Sequence, residues 1–204
     1  MIDPAVIRFI AITDNVRDGQ TGLISRARAA AAGGATCIQL RLKDISARDL
    51  VILARELVHS VGIPVIVNDR ADVAIAAGAA GVHLGADDVP PSAIRKFAPA
   101  GFIIGASVGS DDEIRDAAGA DYVGIGPVFA TASKKDAGSA IGIPEFTRLS
   151  VATGLPAVAI GGVTPANAKL AMSAGAAGVA AIASVFGADD PLAAALEMAS
   201  AIGR

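Results

Sequence analysis

Eight short apolar runs punctuate this chain, and Ala-rich stretches with helical spacing separate them. The runs are RFIAIT (8–13), TCIQLRL (36–42), IPVIVND (63–69), AGVHLG (80–85), GFIIGAS (101–107), ADYVGIGP (120–127), LPAVAIGG (155–162) and AGVAAIAS (177–184). They are rich in Val and Ile and bounded by Gly or Pro, which predicts buried strands. The segments between them, such as GLISRARAAAAG (22–33) and SARDLVILARELVHSVG (46–62), predict helices. Ser46 is placed to N-cap the second of these, and Gly62 to follow its end. Thr164-Pro165 and Asp190-Pro191 read as N-caps with Pro in the first helical turn. The phrases AAGGATCIQ, AAGAAGVHL, AAGADYVGI and SAGAAGVAA repeat one connection, in which a helix ends at Gly and a strand starts shortly after.

Strict βα alternation implies a parallel sheet with right-handed crossovers. Eight units in 204 residues make the minimal (β/α)8 TIM barrel, read here as a single domain over residues 1–204. A doubly wound sheet is the competing arrangement, and it would keep edge strands less apolar than these. Composition agrees with buried parallel strands: 53% of residues are apolar but only 3% aromatic, so the core is built from Ala, Val and Ile. A net charge of −3 gives no basic field to draw the chain to nucleic acid or membrane. No stretch approaches the roughly 20 apolar residues of a membrane span. The start, MIDPAVIRF, lacks the pattern of a signal peptide. The single Cys37 allows no internal disulfide and reads as a small core residue. A cytoplasmic protein acting on small molecules is expected.

In a barrel of this kind, functional groups collect where strands end and the next loops begin. Polar residues do cluster there: Thr13-Asp14, Arg41 and Lys43, Asn68-Asp69, Asp87-Asp88, Ser107, and the loop GPVFATASKKDAGSAIG (126–142). On an extended strand Gln39, Arg41 and Lys43 share one face, which suits a polar, anionic ligand better than a core. Asp69 and Asp88 follow neighbouring strands, about 4.8 Å apart, and together could approach one Mg2+ ion. The plainer readings stay open: Asp88 as a helix cap before Val89-Pro90, and Asp69 as an ion-pair partner of Arg70. Gly161-Gly162 and the end of the eighth run, Ile182-Ala183-Ser184, sit where many barrels hold a phosphate on backbone N–H groups. A plain tight turn explains a Gly-Gly pair equally well. His59 reads as a surface residue and His83 as packing inside the barrel. Two His and one Cys give no zinc pattern. There is no G-x-S-x-G, phosphate-binding Walker loop or G-x-G-x-x-G.

Taken in order, QLRLK (39–43), VNDRADVA (67–74), GVHLGADD (81–88), GADYVGIGPVFATASKKD (119–136) and VAIGGV (158–163) resemble the thiamine phosphate synthase family. The resemblance runs from AITD (11–14) to GVAAIAS (178–184). It implies an Mg2+-dependent transferase that joins a hydroxymethylpyrimidine diphosphate to a thiazole phosphate. Gln39, Arg41, Lys43, Asn68, Ser107 and Lys134 would then bind the pyrimidine diphosphate. Thr131, Ser133, Gly162, Ile182 and Ala183 would bind the thiazole phosphate, and Asp69 and Asp88 the metal. A homodimer is also implied. The chain departs from the family pattern at Ile10, Ala86, Asp87, Gly109, Ser133 and Ala183. Three other readings compete: a thiazole tautomerase on the same fold, a non-catalytic binder of phosphate ligands in thiamine metabolism, and a sugar-phosphate isomerase with Asp14 as its base.

Overall fold

The computed structural model describes residues 2–13, 19–131 and 138–203. Eight strands run parallel and close on themselves in sequence order. They are β1 (Phe9–Ile12), β2 (Cys37–Leu40), β3 (Val65–Asn68), β4 (Gly81–Leu84), β5 (Ile103–Val108), β6 (Tyr122–Ile125), β7 (Ala157–Ile160) and β8 (Gly178–Ala181). Among the described residues they alternate with eight helices: α1 (Gly19–Ala32), α2 (Ala47–Val61), α3 (Ala71–Ala77), α4 (Pro91–Ile94), α5 (Asp111–Asp116), α6 (Gly142–Thr153), α7 (Pro165–Ser173) and α8 (Pro191–Ala201). The fold is a (β/α)8 barrel, as the alternation predicts. Closure through β1 and β8 pairing, with Ile10 opposite Ala180, removes the edge strands that a doubly wound sheet would retain.

Local signals in the sequence explain the helix ends. The Ser46 hydroxyl accepts from the Asp49 N–H at the start of α2, and Gly62 ends that helix with φ of 64°. Asp190 Oδ1 accepts from the Ala193 N–H at 3.0 Å at the start of α8. Asn167 Oδ1 accepts from the Thr164 N–H at 2.8 Å at the start of α7. Each strand is shorter than its apolar run. β2 stops at Leu40, because its neighbour β1 offers pairing only as far as Ile12 opposite Gln39.

Alternation along each strand divides the core in two. One face of the strands, with Phe9, Ile38, Leu40, Val67, Val82, Ile104, Val123, Ala159 and Val179, packs under the helices. The other face fills the barrel with Ile10, Ile12, Cys37, Ile66, Tyr122, Val158 and Ala180. This split is what period-two side-chain direction demands of a closed sheet covered by helices. Cys37 is buried inside the barrel, where loss of hydration pushes its thiol up to about 12. It is a core residue and no nucleophile, as its apolar neighbours suggest.

Candidate active site

Because the strands are parallel, all eight C-terminal ends lie on one rim. The side chains that follow the apolar plug of the interior therefore face a shared mouth. Gln39 on β2 and Asn68 on β3 meet there: Gln39 Nε2 donates to Asn68 Oδ1 at 2.7 Å. Gln39 is only 3% exposed, so its amide is positioned by a buried bond and not by solvent. Arg41 lies just past β2 and is half-buried. Thr13, fully buried at the end of β1, holds the Arg41 backbone on both sides. Its Oγ1 accepts from the Arg41 N–H at 2.8 Å and donates to the Arg41 carbonyl at 3.0 Å. This side-chain bridge replaces the ladder that β1 can no longer supply. Lys43 is exposed beyond it.

Asp69 follows β3 in a tight turn, with φ of 63°. Its N–H donates to the His83 carbonyl at 2.8 Å, and the Arg70 N–H returns to the Asn68 carbonyl at 2.8 Å. A left-handed non-glycine residue is uncommon, and Asp is among the few that tolerate it. Such conformations concentrate at functional positions. Arg70 spends its guanidinium on Asp72, to which it donates at 2.8 and 2.6 Å. Asp88 is half-buried and caps no helix: its Oδ2 accepts from the Gly85 N–H at 2.7 Å, and α4, which begins at Pro91, has Pro90 at its N-cap and no side-chain cap. Among the described residues Oδ2 is the carboxylate oxygen of Asp88 that is hydrogen-bonded. Asn68 stands opposite His83 in the β3–β4 register, so Asp69 and Asp88 lie on adjoining loops. Among the described residues no cluster of three His, Cys, Asp or Glu forms a metal cage. Two carboxylates with waters and phosphate oxygens suffice for Mg2+, which rarely uses an all-protein cage.

Ser107 is half-buried on the interior face of β5. It contacts His83, whose other ring nitrogen contacts Tyr122. Neither partner is among the residues that the pattern of strand ends selects. Both lie within strands, where an isolated polar side chain reads as core. The signal available was parity, since His83 and Tyr122 alternate onto the same face as Gly105 and Gly124.

The β6–β8 side of the mouth is made mostly of main chain. The loop after β6 packs against the end of β7, with Val128 N–H donating to the Ile160 carbonyl at 2.8 Å and Phe129 N–H to the Gly161 carbonyl at 3.0 Å. Gly162 has φ of 64°, and a Cβ there would lie 2.8 Å from the Phe129 carbonyl carbon and closer still to the Ala130 carbonyl. Only glycine fits. Asn167 Nδ2 holds the Gly162 carbonyl at 2.9 Å, and the Ser184 hydroxyl holds the Val163 carbonyl at 2.8 Å. Ile182 and Ala183 begin a turn in which Val185 and Phe186 donate back to the Ile182 carbonyl. Arg26 on α1 secures the far end of that turn through the Phe186 and Ala188 carbonyls. Arg26 and Asn167 are supports that no motif announced, whereas Ser184 closes the eighth apolar run. Thr131 is half-buried at the edge of the described segment. Ser133 and Lys134, together with Asp14, lie outside the described residues.

Comparisons with known proteins bear on the family and the fold. The family model described as thiamine monophosphate synthase matches residues 9–185. A thiamine-phosphate synthase of Methanoculleus marisnigri is 52% identical over 192 residues, covering 92% of this chain and 90% of the relative. The enzyme of the same name from Moorella thermoacetica is 44% identical over 201 residues, covering 96% and 95%. Among solved structures, a thiamine phosphate pyrophosphorylase from Pyrococcus furiosus superposes with a TM-score of 0.85 at 34% identity, covering 98% of this chain and 96% of that one. A 3-hexulose-6-phosphate synthase, at 22% identity and a TM-score of 0.77, shares the fold. On these grounds the chain belongs to the thiamine monophosphate synthase family.

Proposed function

We propose that this protein is a thiamine-phosphate synthase. The transferase condenses 4-amino-2-methyl-5-hydroxymethylpyrimidine diphosphate with 4-methyl-5-hydroxyethylthiazole phosphate to thiamine phosphate and releases pyrophosphate; with the carboxylated thiazole, CO2 leaves as well. The observation that carries the reading is the grouping of Gln39, Arg41, Asn68, Asp69 and Asp88 at neighbouring strand ends, in a chain of this family. Residues 1–204 act as one catalytic domain, in the cytoplasm, on small-molecule substrates and with no nucleic-acid partner. A homodimer is the proposed assembly.

Asp69 and Asp88 would hold Mg2+, and their hard oxygen donors suit it. Bound there, the ion would neutralise charge on the diphosphate. Arg41, Lys43 and Lys134 stabilise the same departing charge, and Gln39 and Asn68 orient the pyrimidine. The C–O bond to the diphosphate breaks with its electron pair leaving on oxygen. The electron-rich aminopyrimidine supports the cationic carbon, and the thiazole nitrogen donates its lone pair to form the new C–N bond. No protein nucleophile is needed; placement and charge stabilisation suffice. Thr131, Ser133, Gly162 and the amides of Ile182 and Ala183 hold the thiazole phosphate so that its nitrogen faces that carbon.

The direct test is incubation with both precursors, with and without Mg2+, following pyrophosphate. Release that requires both precursors and the ion is expected. Binding of thiamine phosphate without release would favour the non-catalytic reading instead. Lys134→Ala should lose most turnover while remaining folded. An electron-withdrawing substituent on the pyrimidine should slow cleavage, and an unchanged rate would exclude the dissociative path.

A further inference from the structure

Three side chains inside the barrel form a chain that ends at the mouth. Tyr122 on β6 is 1% exposed, and His83 on β4 is 7% exposed. The Tyr122 hydroxyl lies 3.0 Å from His83 Nδ1, and His83 Nε2 lies 3.1 Å from Ser107 Oγ. The fold makes room for this chain. A Cβ on Gly105 would run into the Tyr122 ring, and one on Gly124 would come within 3.0 Å of His83 Cε1. Tyr122 is the only tyrosine of the protein. Phenylalanine would fill the same apolar volume, so packing alone does not call for its hydroxyl.

The geometry points to His83 and Tyr122 as positioning residues that set the direction of the Ser107 hydroxyl toward the substrate. A buried phenol must place its hydrogen on an acceptor. Among the described residues the acceptor within reach is His83 Nδ1. Burial pushes the Tyr122 hydroxyl well above its ordinary range, which keeps that hydrogen in place. Nδ1 therefore accepts, and the imidazole hydrogen sits on Nε2. Nε2–H then donates to Ser107 Oγ. The hydrogen of Ser107 is left for an acceptor in the mouth, such as a ring nitrogen or a diphosphate oxygen. A histidine of the opposite tautomer would consume that hydrogen and leave Ser107 only its lone pairs. Residues that touch no ligand would in this way fix what Ser107 recognises. The inference rests on the reading of Ser107 as a contact for the pyrimidine diphosphate.

The test has two parts. The chain has two histidines, so a His59→Asn variant assigns the imidazole nitrogens in a long-range 1H–15N spectrum. The ligand-free protein should show His83 protonated at Nε2 and bare at Nδ1. Protonation at Nδ1 overturns the proposal, and this part requires no altered barrel. The second part measures affinity for the pyrimidine diphosphate in Ser107→Ala, Tyr122→Phe and the double variant. Each single change should weaken binding about 10-fold, appearing in KM more than in kcat, and the double variant should be no worse than Ser107→Ala. Multiplying effects would mean that Tyr122 acts only through packing, and would overturn the relay. Wild-type binding by Ser107→Ala would instead remove Ser107 from the substrate site, which fails the underlying reading and the relay with it.

Discussion

The two sides of the barrel mouth are built from different material. From β2 to β4 the strands end in side chains: Gln39, Arg41, Asn68, Asp69 and, one loop on, Asp88. From β6 to β8 they end in backbone. There the loop after β6 and the end of β7 lie so close that Gly126, Gly161 and Gly162 admit no Cβ without collision. The crowding explains the chemistry. Among the described residues, main chains that interlock there leave amide groups as the donors that the proposed thiazole-phosphate site would use. The lesson is that stability and function should separate on the first side and coincide on the second.

Asp69→Asn is the largest expected effect and the sharpest test of that separation. Asn tolerates the left-handed turn and keeps the volume, but loses the charge. Pyrophosphate release should fall by at least about 10²-fold with little change in Tm. A large drop in Tm with retained turnover would break the comparison. Gly162→Ala probes the opposite side. The new Cβ meets the Phe129 and Ala130 carbonyls at positive φ, so a denaturant midpoint should report a loss of about 2–3 kcal/mol. Affinity for the thiazole phosphate should decline in the same variant, and an unperturbed midpoint would show that the backbone there has slack. Gln39→Leu falls between the two. It leaves Asn68 Oδ1 without its buried donor, at a cost of about 1–2 kcal/mol, and should also raise KM for the pyrimidine diphosphate.

Asp72→Asn should do least. Its pair with Arg70 is at the same rim but exposed, and such pairs contribute about 0–1 kcal/mol. Turnover should match wild type. The hydrogen bond from Arg70 holds the Asp72 carboxyl below its ordinary value. The stabilisation is therefore present above the ordinary carboxylate pKa and is lost as pH falls through the lowered one. Wild type and variant should differ slightly at neutral pH and converge in acid, as thermal melts across that range would show. A marked loss of activity would mean that Arg70 and Asp72 belong to the site.

Strand and helix order was legible because each strand is apolar on both faces and each αβ connection carries its glycine. A sequence with such alternation has few other ways to bury its runs. The rim residues were legible too, since a parallel barrel sends every strand end to one side. Local pairing was less so. Asp88 was open to reading as a helix cap and Asp69 as a partner of Arg70, but Asp88 folds back on Gly85 and Arg70 turns to Asp72. Parity places Tyr122, His83 and Ser107 on one interior face, but the contacts that link them were not legible. The linked residues are 39 and 24 positions apart.

The order of apolar runs, punctuated by glycine, by itself determined the alternation of parallel strands and helices and the side on which the polar strand ends gather. Only the tertiary structure decided which of those groups touch: the buried Gln39–Asn68 bond, the Thr13 bridge to the Arg41 backbone, the main-chain crowding around Gly162. The physical reason is that strand formation depends on a local period of two, whereas contact across the barrel depends on register and closure. Those are set by all eight strands together.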